Sequence, residues 1–220
     1  MPRQRQHLFA PQPAGRLYAI VDADVCAAAG RAPCDVARAF LSAGAQWLQL
    51  RCKNMPGGAF LELANQVLEQ SRAARSILII NDRADIAAIA NADGLHVGQA
   101  DLTAVGSRIV IGASPILGLS THTREQWEAA VHEPISYIAI GPAFGTGTKD
   151  TGYTAVGLEV VARASAAAAA NGLPTVAIGG ITIDNAVSVI EAGAASVAVI
   201  SDLLEGDPEA RCRAFLRILQ

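Results

Sequence analysis

The chain contains few charged and few aromatic side chains: 17% of its 220 residues are Asp, Glu, Lys or Arg, and 5% are Phe, Trp or Tyr. Hydrophobic residues make up 51%, so the sequence lacks the low hydrophobicity and high charge of disordered chains. It also lacks a basic excess, because the formal net charge is -3, which argues against nucleic-acid binding through a basic surface. These deficits favour one domain with a large apolar core.

The sequence has no apolar stretch long enough to cross a membrane. The best candidate, the Ala-rich run 164–170, is far shorter than the roughly 20 residues that a spanning helix needs. Residues 1–16 contain Arg, Gln and Pro but no continuous apolar run, so they do not make a secretory signal. We therefore expect residues 1–16 to form a flexible arm on a cytoplasmic protein that binds neither membranes nor nucleic acids.

Cysteine is scarce, and its spacing is uninformative about metals. The four cysteines are Cys26, Cys34, Cys52 and Cys212. No pair has CxxC spacing, and no Cys/His group has zinc-finger spacing. A disulfide framework is not expected in a chain with so large a core.

Eight short aliphatic runs alternate with helical stretches. The predicted strands are 17–21, 47–50, 77–80, 94–97, 116–119, 137–140, 175–178 and 197–200. The predicted helices are 35–43, 59–74, 84–90, 102–111, 124–131, 158–170, 185–192 and 208–219. Continuous apolar runs are typical of parallel strands buried on both faces. The pattern fits a closed (β/α)8 barrel or a doubly wound open sheet, and eight units in one compact chain favour a single-domain barrel over residues 17–220.

Polar residues follow strand after strand, where a barrel of this kind carries its chemistry. Gln49, Arg51 and Lys53 share one side of the second strand at a period of two. Two cations beside an amide suit the binding of an anion, because Arg offers a planar fork and Lys a mobile point charge. The alternative is a pair of solvated surface charges.

Two aspartates leave neighbouring predicted strands on the same rim. Asp82 follows Asn81 after the third strand, and Asp101 follows the fourth. Carboxylate oxygens suit a hard cation such as Mg²⁺, which commonly takes one or two carboxylates together with substrate phosphates and waters. The alternative for each aspartate is the cap of the helix that follows it. His96, on the fourth strand, is more often a satisfied core or rim residue than a catalyst.

The later strands end in small residues and hydroxyls. Ser120 follows the fifth strand, and a Gly-rich loop with Thr146, Gly147, Thr148 and Lys149 follows the sixth. Gly180 follows the seventh strand, and Ile200 and Ser201 follow the eighth. Glycines after strand seven and a short helix start after strand eight form a phosphate site in many barrels. A clamp for a diphosphate and a nest for a monophosphate together indicate transfer between two phosphorylated substrates.

Taken in order, these segments resemble the thiamine-phosphate synthase (thiamine-phosphate pyrophosphorylase) family, from about residue 17 to the C-terminus. The motifs that carry the resemblance are Gln49-Leu50-Arg51-Cys52-Lys53, Asn81-Asp82-Arg83, His96-Val97-Gly98-Gln99-Ala100-Asp101, Ser120-Thr121-His122, Gly141 to Lys149, Gly179-Gly180 and Ile200-Ser201. The resemblance implies a transferase with a TIM-barrel fold. It would join hydroxymethylpyrimidine diphosphate to thiazole phosphate, with Mg²⁺ assisting departure of diphosphate and the thiazole nitrogen capturing the pyrimidine-methyl cation.

The resemblance also implies a role for each matching residue. Pyrimidine diphosphate would be bound by Gln49, Leu50, Arg51, Cys52, Lys53, Asn81, Ser120 and Lys149. Thiazole phosphate would be bound by Thr146, Gly147, Thr148, Gly180, Ile200 and Ser201. Mg²⁺ would be held by Asp82 and Asp101, and the catalytic cations would be Arg51, Lys53 and Lys149. Cys52 stands where family members often have an acidic residue, and strand alternation predicts that its side chain points away from the ligand.

Three other functions remain open at this point. A related thiazole tautomerase shares the barrel but depends on a histidine at the position of Pro142. A non-catalytic phosphate-binding barrel would keep the phosphate nest and lose the metal pair or Lys149. A sugar-phosphate isomerase would carry a catalytic Glu or Asp without the Arg51/Lys53 pair. A homodimer is an expectation for the assembly.

Overall fold

The computed structural model describes residues 15–145 and 154–220. Eight parallel strands pair in chain order, and β8 pairs with β1 to close the barrel that the sequence predicts. The strands are β1 (Leu17–Asp22), β2 (Trp47–Arg51), β3 (Ile77–Asn81), β4 (Gly94–Val97), β5 (Ile116–Thr121), β6 (Tyr137–Ile140), β7 (Thr175–Ile178) and β8 (Ser196–Val199).

Helices surround this barrel. They are α1 (Ala23–Ala28), α2 (Pro33–Ala43), α3 (Gly57–Ala74), α4 (Ala84–Ile89), α5 (Ala104–Ile111), α6 (Arg124–Ala130), α7 (Gly157–Ala170), α8 (Ala186–Glu191) and α9 (Pro208–Ile218), with a 3-10 helix at Ser201–Leu204. Among the described residues, none of these helices is long and apolar enough to span a bilayer.

The predicted helix over 102–111, despite its β-branched residues, is confirmed as α5. Thr103 caps it by accepting a hydrogen bond from the backbone N–H of Gly106 at 3.1 Å. Most of the observed elements differ from the predicted ones by one or two residues at one or both ends, and two differences matter most. Strand β8 ends one residue early because Ile200 turns into the 3-10 helix, and α1 was not predicted.

The strands are mostly apolar because both of their faces are buried. One set of side chains packs under the helices, as Leu48, Leu50 and Ile80 do. The alternate set fills the barrel interior and forms a separate cluster around Tyr18, Trp47, Tyr137 and their neighbours. Neither face is left for solvent, so the two-residue alternation of polar and apolar side chains appears only where the strands end.

Gly118 of β5 makes room for two of the interior side chains. A Cβ atom at this position would lie 2.0 Å from Cζ of Tyr137 and 2.5 Å from Nδ1 of His96. Both neighbours are buried, so neither can move aside without disturbing the packed interior. A side chain at position 118 and the Tyr137–His96 contact therefore exclude each other.

The first prediction concerns this glycine. Gly118→Ala should lower the free energy of unfolding by about 1–3 kcal/mol, because the added methyl overpacks the barrel interior. Urea denaturation measures the effect. Gly58→Ala is the matched control, since Gly58 lies in α3 and a Cβ there would meet no atom within 4 Å outside its own helix turn. This variant should be neutral or stabilise by up to about 1 kcal/mol. Equal losses in the two variants would contradict the steric explanation.

Candidate active site

The carboxyl ends of the eight strands meet at one mouth of the barrel, which contains two adjoining cavities. The deeper one, of about 40 Å³, is lined by Gln49, Arg51, Asn81 and Ser120 among others. The wider one, of about 260 Å³, lies over β5 to β8 and is also lined by Ser120, together with Gly180, Ile200 and Ser201. The structure thus brings these predicted site residues to the same end of the molecule.

Arg51 lies at this mouth in an ion pair with Asp22, which was not among the predicted site residues. The Asp22 side chain is 2% exposed and that of Arg51 is 14% exposed. Oδ1 of Asp22 also accepts the backbone N–H groups of Asp24 and Val25, at 3.0 and 3.1 Å, and so caps α1. Asp22 therefore holds Nη1 of the Arg51 guanidinium group in place. The remaining N–H groups of the guanidinium are further donors for an anion. The sequence did contain a signal for Asp22, because this polar residue ends an apolar strand, as the predicted residues at the mouth do.

Lys53, Asp82 and Asp101 form a second charged group beside the first. Lys53 makes an ion pair with Asp82. Asp82 has a φ of 62°, a conformation that aspartate tolerates better than most residues. Burial, followed by the hydrogen bond and negative charge of Asp82, raises the pKa of Asp101, while the N–H of Gly98 opposes that rise. Two carboxylates therefore lie near enough for their charges to interact, and the positive charge of Lys53 acts on both.

Neither aspartate acts as a helix cap, so that alternative is wrong. The residue before α4 is Arg83, which makes no side-chain capping bond, and the cap of α5 is Thr103. The carboxylate of Asp101 instead accepts the backbone N–H of Gly98 at 2.8 Å. Capping of a helix N-terminus therefore does not account for either carboxylate at the mouth.

The donor set at Asp82 and Asp101 fits a hard divalent cation. In residues 15–145 and 154–220, no three His, Cys, Asp or Glu side chains come close enough to hold a metal ion together. Two adjoining carboxylates repel each other unless a proton or a cation lies between them. A Mg²⁺ ion bound there would complete its shell with water and substrate phosphate oxygens, as Mg²⁺ commonly does.

Strand alternation separates the members of the 49–53 motif. Gln49 and Arg51 line the deeper cavity, whereas Leu50 and Cys52 are buried in the layer under the helices. The Cys52 side chain therefore points away from the mouth, as predicted. Burial, reinforced by the negative charges of Asp22 and Asp24, raises the pKa of Cys52 to about 12. Its thiol is protonated near neutral pH and offers no nucleophile.

The turn after β7 supports the loop after β6. The backbone N–H groups of Ala143 and Phe144 donate to the carbonyls of Ile178 and Gly179, at 2.8 and 3.0 Å. Gly180 has a φ of +63°, and a Cβ there would lie 2.5 Å from the carbonyl oxygen of Gly145. Only glycine permits this approach of the two segments. The predicted Gly-Gly turn is therefore both a tight turn and part of the cavity wall.

The wider cavity also contains a carboxylate whose charge is neutralised. Asp202, next to Ser201, lines this cavity. Nη2 of Arg211 donates to both oxygens of Asp202 at 2.9 Å, and Nε donates to Oδ2 at 3.1 Å. Arg211 was not predicted as a site residue, because it lies on α9, far from any strand end. The Arg211 guanidinium group thus neutralises the negative charge of Asp202, which lies next to the predicted phosphate-binding residues.

Four of the predicted site residues cannot be placed. Thr146, Gly147, Thr148 and Lys149 lie outside the described residues. The roles assigned to them, and to the remaining predicted site residues, stay predictions.

Comparison with known proteins gives one consistent result. A family model described as thiamine monophosphate synthase matches residues 17–203. Thiamine-phosphate synthases from Roseiflexus castenholzii and Koribacter versatilis are 42% and 43% identical, over 93% of this chain and 89% and 95% of their own. The solved thiamine phosphate pyrophosphorylase from Pyrococcus furiosus superposes with a TM-score of 0.83 at 27% identity, covering 93% of this chain and 95% of its own.

The second prediction tests the buried ion pair. Asp22→Asn should lower the free energy of unfolding by about 1–3 kcal/mol, because it removes the charge that balances Arg51. Urea denaturation measures the loss. Asp35→Asn is the control, since Asp35 pairs with Arg38 on the surface and its side chain is 66% exposed; it should cost under about 1 kcal/mol. A loss no larger for Asp22→Asn than for Asp35→Asn would show that the pair contributes little.

The third prediction concerns thiol reactivity. Burial raises the pKa of Cys26 to about 11 and that of Cys212 to about 12, and all three of Cys26, Cys52 and Cys212 are buried. Iodoacetamide at pH 8 should therefore alkylate Cys34, which is half-buried, well before the others. Peptide mass spectrometry over time gives the order, and Cys34→Ser should remove the fast phase. Early labelling of Cys52 would overturn the assignment of its side chain to the buried layer.

Proposed function

The chain belongs to the thiamine monophosphate synthase family, and from this premise we propose which residues carry out its reaction. The protein is an enzyme of thiamine biosynthesis. It joins hydroxymethylpyrimidine diphosphate to thiazole phosphate and releases thiamine phosphate and pyrophosphate. The bond between the pyrimidine methylene carbon and the diphosphate oxygen breaks, and a bond from that carbon to the thiazole nitrogen forms.

The observation that carries the assignment of roles is the gathering of Arg51, Lys53, Asp82 and Asp101 at one mouth. As the carbon–oxygen bond breaks, negative charge accumulates on the departing diphosphate. Arg51 and Lys53 supply positive charge where it develops, and fixed cations of this kind lower the barrier. Lys149 is proposed to add a third cation. Neither the departure nor the capture by the thiazole nitrogen needs a protein nucleophile, in keeping with the protonated thiol of Cys52.

Asp82 and Asp101 are proposed to hold Mg²⁺. When bound there, the ion supplies Lewis-acid stabilisation of phosphate oxygens without a proton transfer. Lys53, already in contact with Asp82, lies where it can pair with a phosphate oxygen instead. Exchange of one anionic partner for another keeps the lysine charge balanced throughout.

The two cavities are proposed to bind the two substrates. Gln49, Asn81 and Ser120 line the deeper cavity and offer hydrogen bonds to the pyrimidine edge. Gly180, Ile200 and Ser201 line the wider one and offer backbone groups to the thiazole phosphate. Ser120 lines both cavities, so the reacting methylene carbon and the thiazole nitrogen would meet near it. Thr146, Gly147 and Thr148 are proposed as further contacts of the thiazole phosphate.

Of the alternatives, the thiazole tautomerase lacks support because Pro142 occupies the place of the histidine that it needs. Pro142 lines the wider cavity, where its ring can transfer no proton. A cytoplasmic location and a homodimer are proposed as the setting of the enzyme. The reaction assigned to the mouth does not depend on either of them.

The fourth prediction tests both the reaction and the metal site. Incubation with the two substrates and Mg²⁺ should release pyrophosphate, measured by a coupled colorimetric assay, and omission of either substrate or of Mg²⁺ should abolish the release. Asp101→Asn should lower kcat by about 10–100-fold and raise the Mg²⁺ concentration needed for half-maximal rate, because one carboxylate ligand loses its charge.

Asp85→Asn provides the control for this variant. Asp85 is an exposed carboxylate at the start of α4 that pairs with Arg83, so its loss should leave the Mg²⁺ dependence unchanged. Turnover by wild-type enzyme without a divalent ion, or an unaltered Mg²⁺ requirement in Asp101→Asn, would refute the metal assignment. No pyrophosphate under any condition would refute the reaction itself.

A further inference from the structure

A chain of hydrogen bonds crosses the barrel interior and ends at the mouth. Nε2 of Gln49 donates to the Tyr18 hydroxyl at 2.8 Å, and the hydroxyls of Tyr18 and Tyr137 are 3.2 Å apart. The Tyr137 hydroxyl lies 2.8 Å from Nδ1 of His96, and Nε2 of His96 lies 2.8 Å from Oγ of Ser120. The five residues come from five different strands, and Ser120 alone among them lines both cavities.

The first link fixes the direction of all the others. An amide nitrogen only donates, so the Tyr18 oxygen accepts from Gln49 and directs its own proton to Tyr137. Tyr137 in turn directs its proton to Nδ1 of His96. A neutral imidazole that accepts at Nδ1 carries its proton on Nε2 and donates it to Ser120. Ser120 receives this bond, so its own hydroxyl proton is directed elsewhere, toward the cavities that it lines.

Packing holds the chain in this arrangement. Tyr18 stacks on Trp47 with ring centroids 4.0 Å apart, and His96 stacks on Tyr137 at 5.5 Å. Burial raises the pKa of both Tyr18 and Tyr137, so both phenols remain protonated donors. The missing side chain of Gly118 leaves the space that the Tyr137–His96 contact occupies. Interior rings that are stacked and hydrogen-bonded have few other rotamers available.

We propose that Tyr18, Tyr137 and His96 are positioning residues that hold Ser120 as a hydrogen-bond donor to a ring nitrogen of the pyrimidine. This inference rests on the proposed function and deepens it, since it states what the pyrimidine must present to Ser120. Gln49, at the other end of the chain, has its amide nitrogen engaged by Tyr18 and so offers its carbonyl oxygen as an acceptor. An aminopyrimidine edge, with an N–H donor beside a ring-nitrogen acceptor, complements this pair.

The tautomer of His96 tests the direction of the chain without any assay of activity. Two-dimensional ¹H–¹⁵N spectra of the labelled wild-type protein at pH 8, above the usual histidine pKa, distinguish Nε2–H from Nδ1–H imidazole. His122 is an internal reference: its Nδ1 lies 2.6 Å from the carbonyl oxygen of Gly141, which can only accept, so it carries its proton on Nδ1. We expect opposite tautomers for the two rings, with His96→Gln identifying the His96 signals. A His96 that carries its proton on Nδ1 would overturn the proposal.

Steady-state kinetics test the consequence for substrate recognition. Tyr137→Phe deletes the hydroxyl that donates to His96 and nearly conserves volume. It should raise KM for the pyrimidine diphosphate about tenfold and change KM for thiazole phosphate less than twofold. Ile79→Val is the packing control, because Ile79 belongs to the same interior cluster and carries no polar atom; it should alter neither KM. Equal rises in both KM values would indicate a merely structural role and overturn the proposal.

Two pyridine analogues of the pyrimidine diphosphate, each lacking one ring nitrogen, give the sharpest result. One of them should bind wild-type enzyme about tenfold more weakly than the substrate, measured by calorimetry without thiazole phosphate. In Tyr137→Phe the difference in affinity between this analogue and the substrate should fall to less than threefold. The reason is that the Ser120 donor, which Tyr137 positions through His96, and the ring nitrogen that accepts from it are coupled. Undiminished deficits for both analogues would overturn the inference. Failure of wild-type enzyme to release pyrophosphate would refute the proposed function instead, and the tautomers would still be measurable.

Discussion

The closure of eight parallel strands into one barrel is the constraint on which the site depends. Parallel strands all end on the same side, so a short polar residue after each apolar run reaches a common mouth. Arg51 of β2, Asn81 of β3 and Ser120 of β5 are neighbours for this reason alone. The interior beneath them is filled by stacked rings and aliphatic side chains. The barrel is therefore a packed core, and the polar side chains lie at its mouth.

Charges at the mouth occur in balanced pairs. Arg51 pairs with Asp22, Lys53 with Asp82, and Arg211 with Asp202. A buried charge without a partner is costly, and the Arg51–Asp22 pair, the most buried of the three, avoids that cost. In the proposed reaction, substrate phosphate groups would replace or join the carboxylate partners. Among the described residues, Asp82 and Asp101 depart from this pairing, because they are two neighbouring like charges whose repulsion a divalent cation would relieve.

The sequence predicted the fold closely because the signals were local. In the part of the chain that the structure describes, all eight strands and eight of the nine α-helices correspond to predicted segments, since apolar runs and their intervening helices are read along the chain. The rim residues were predicted because each ends an apolar run. Asp22 and Arg211 were missed for opposite reasons: Asp22 gives the same signal but was given no role, whereas Arg211 is remote in sequence from the Asp202 that it neutralises.

Residue order by itself therefore determined the eightfold alternation, the family and the composition of the rim, because periodicity and motif order are properties of the chain alone. Only the tertiary structure decided which atoms meet. Asp82 and Asp101, whose charges interact, follow two different strands. The path from Gln49 through Tyr18, Tyr137 and His96 to Ser120 joins residues of five strands. Such contacts depend on barrel register and on packing around Gly118, which act between segments distant in sequence.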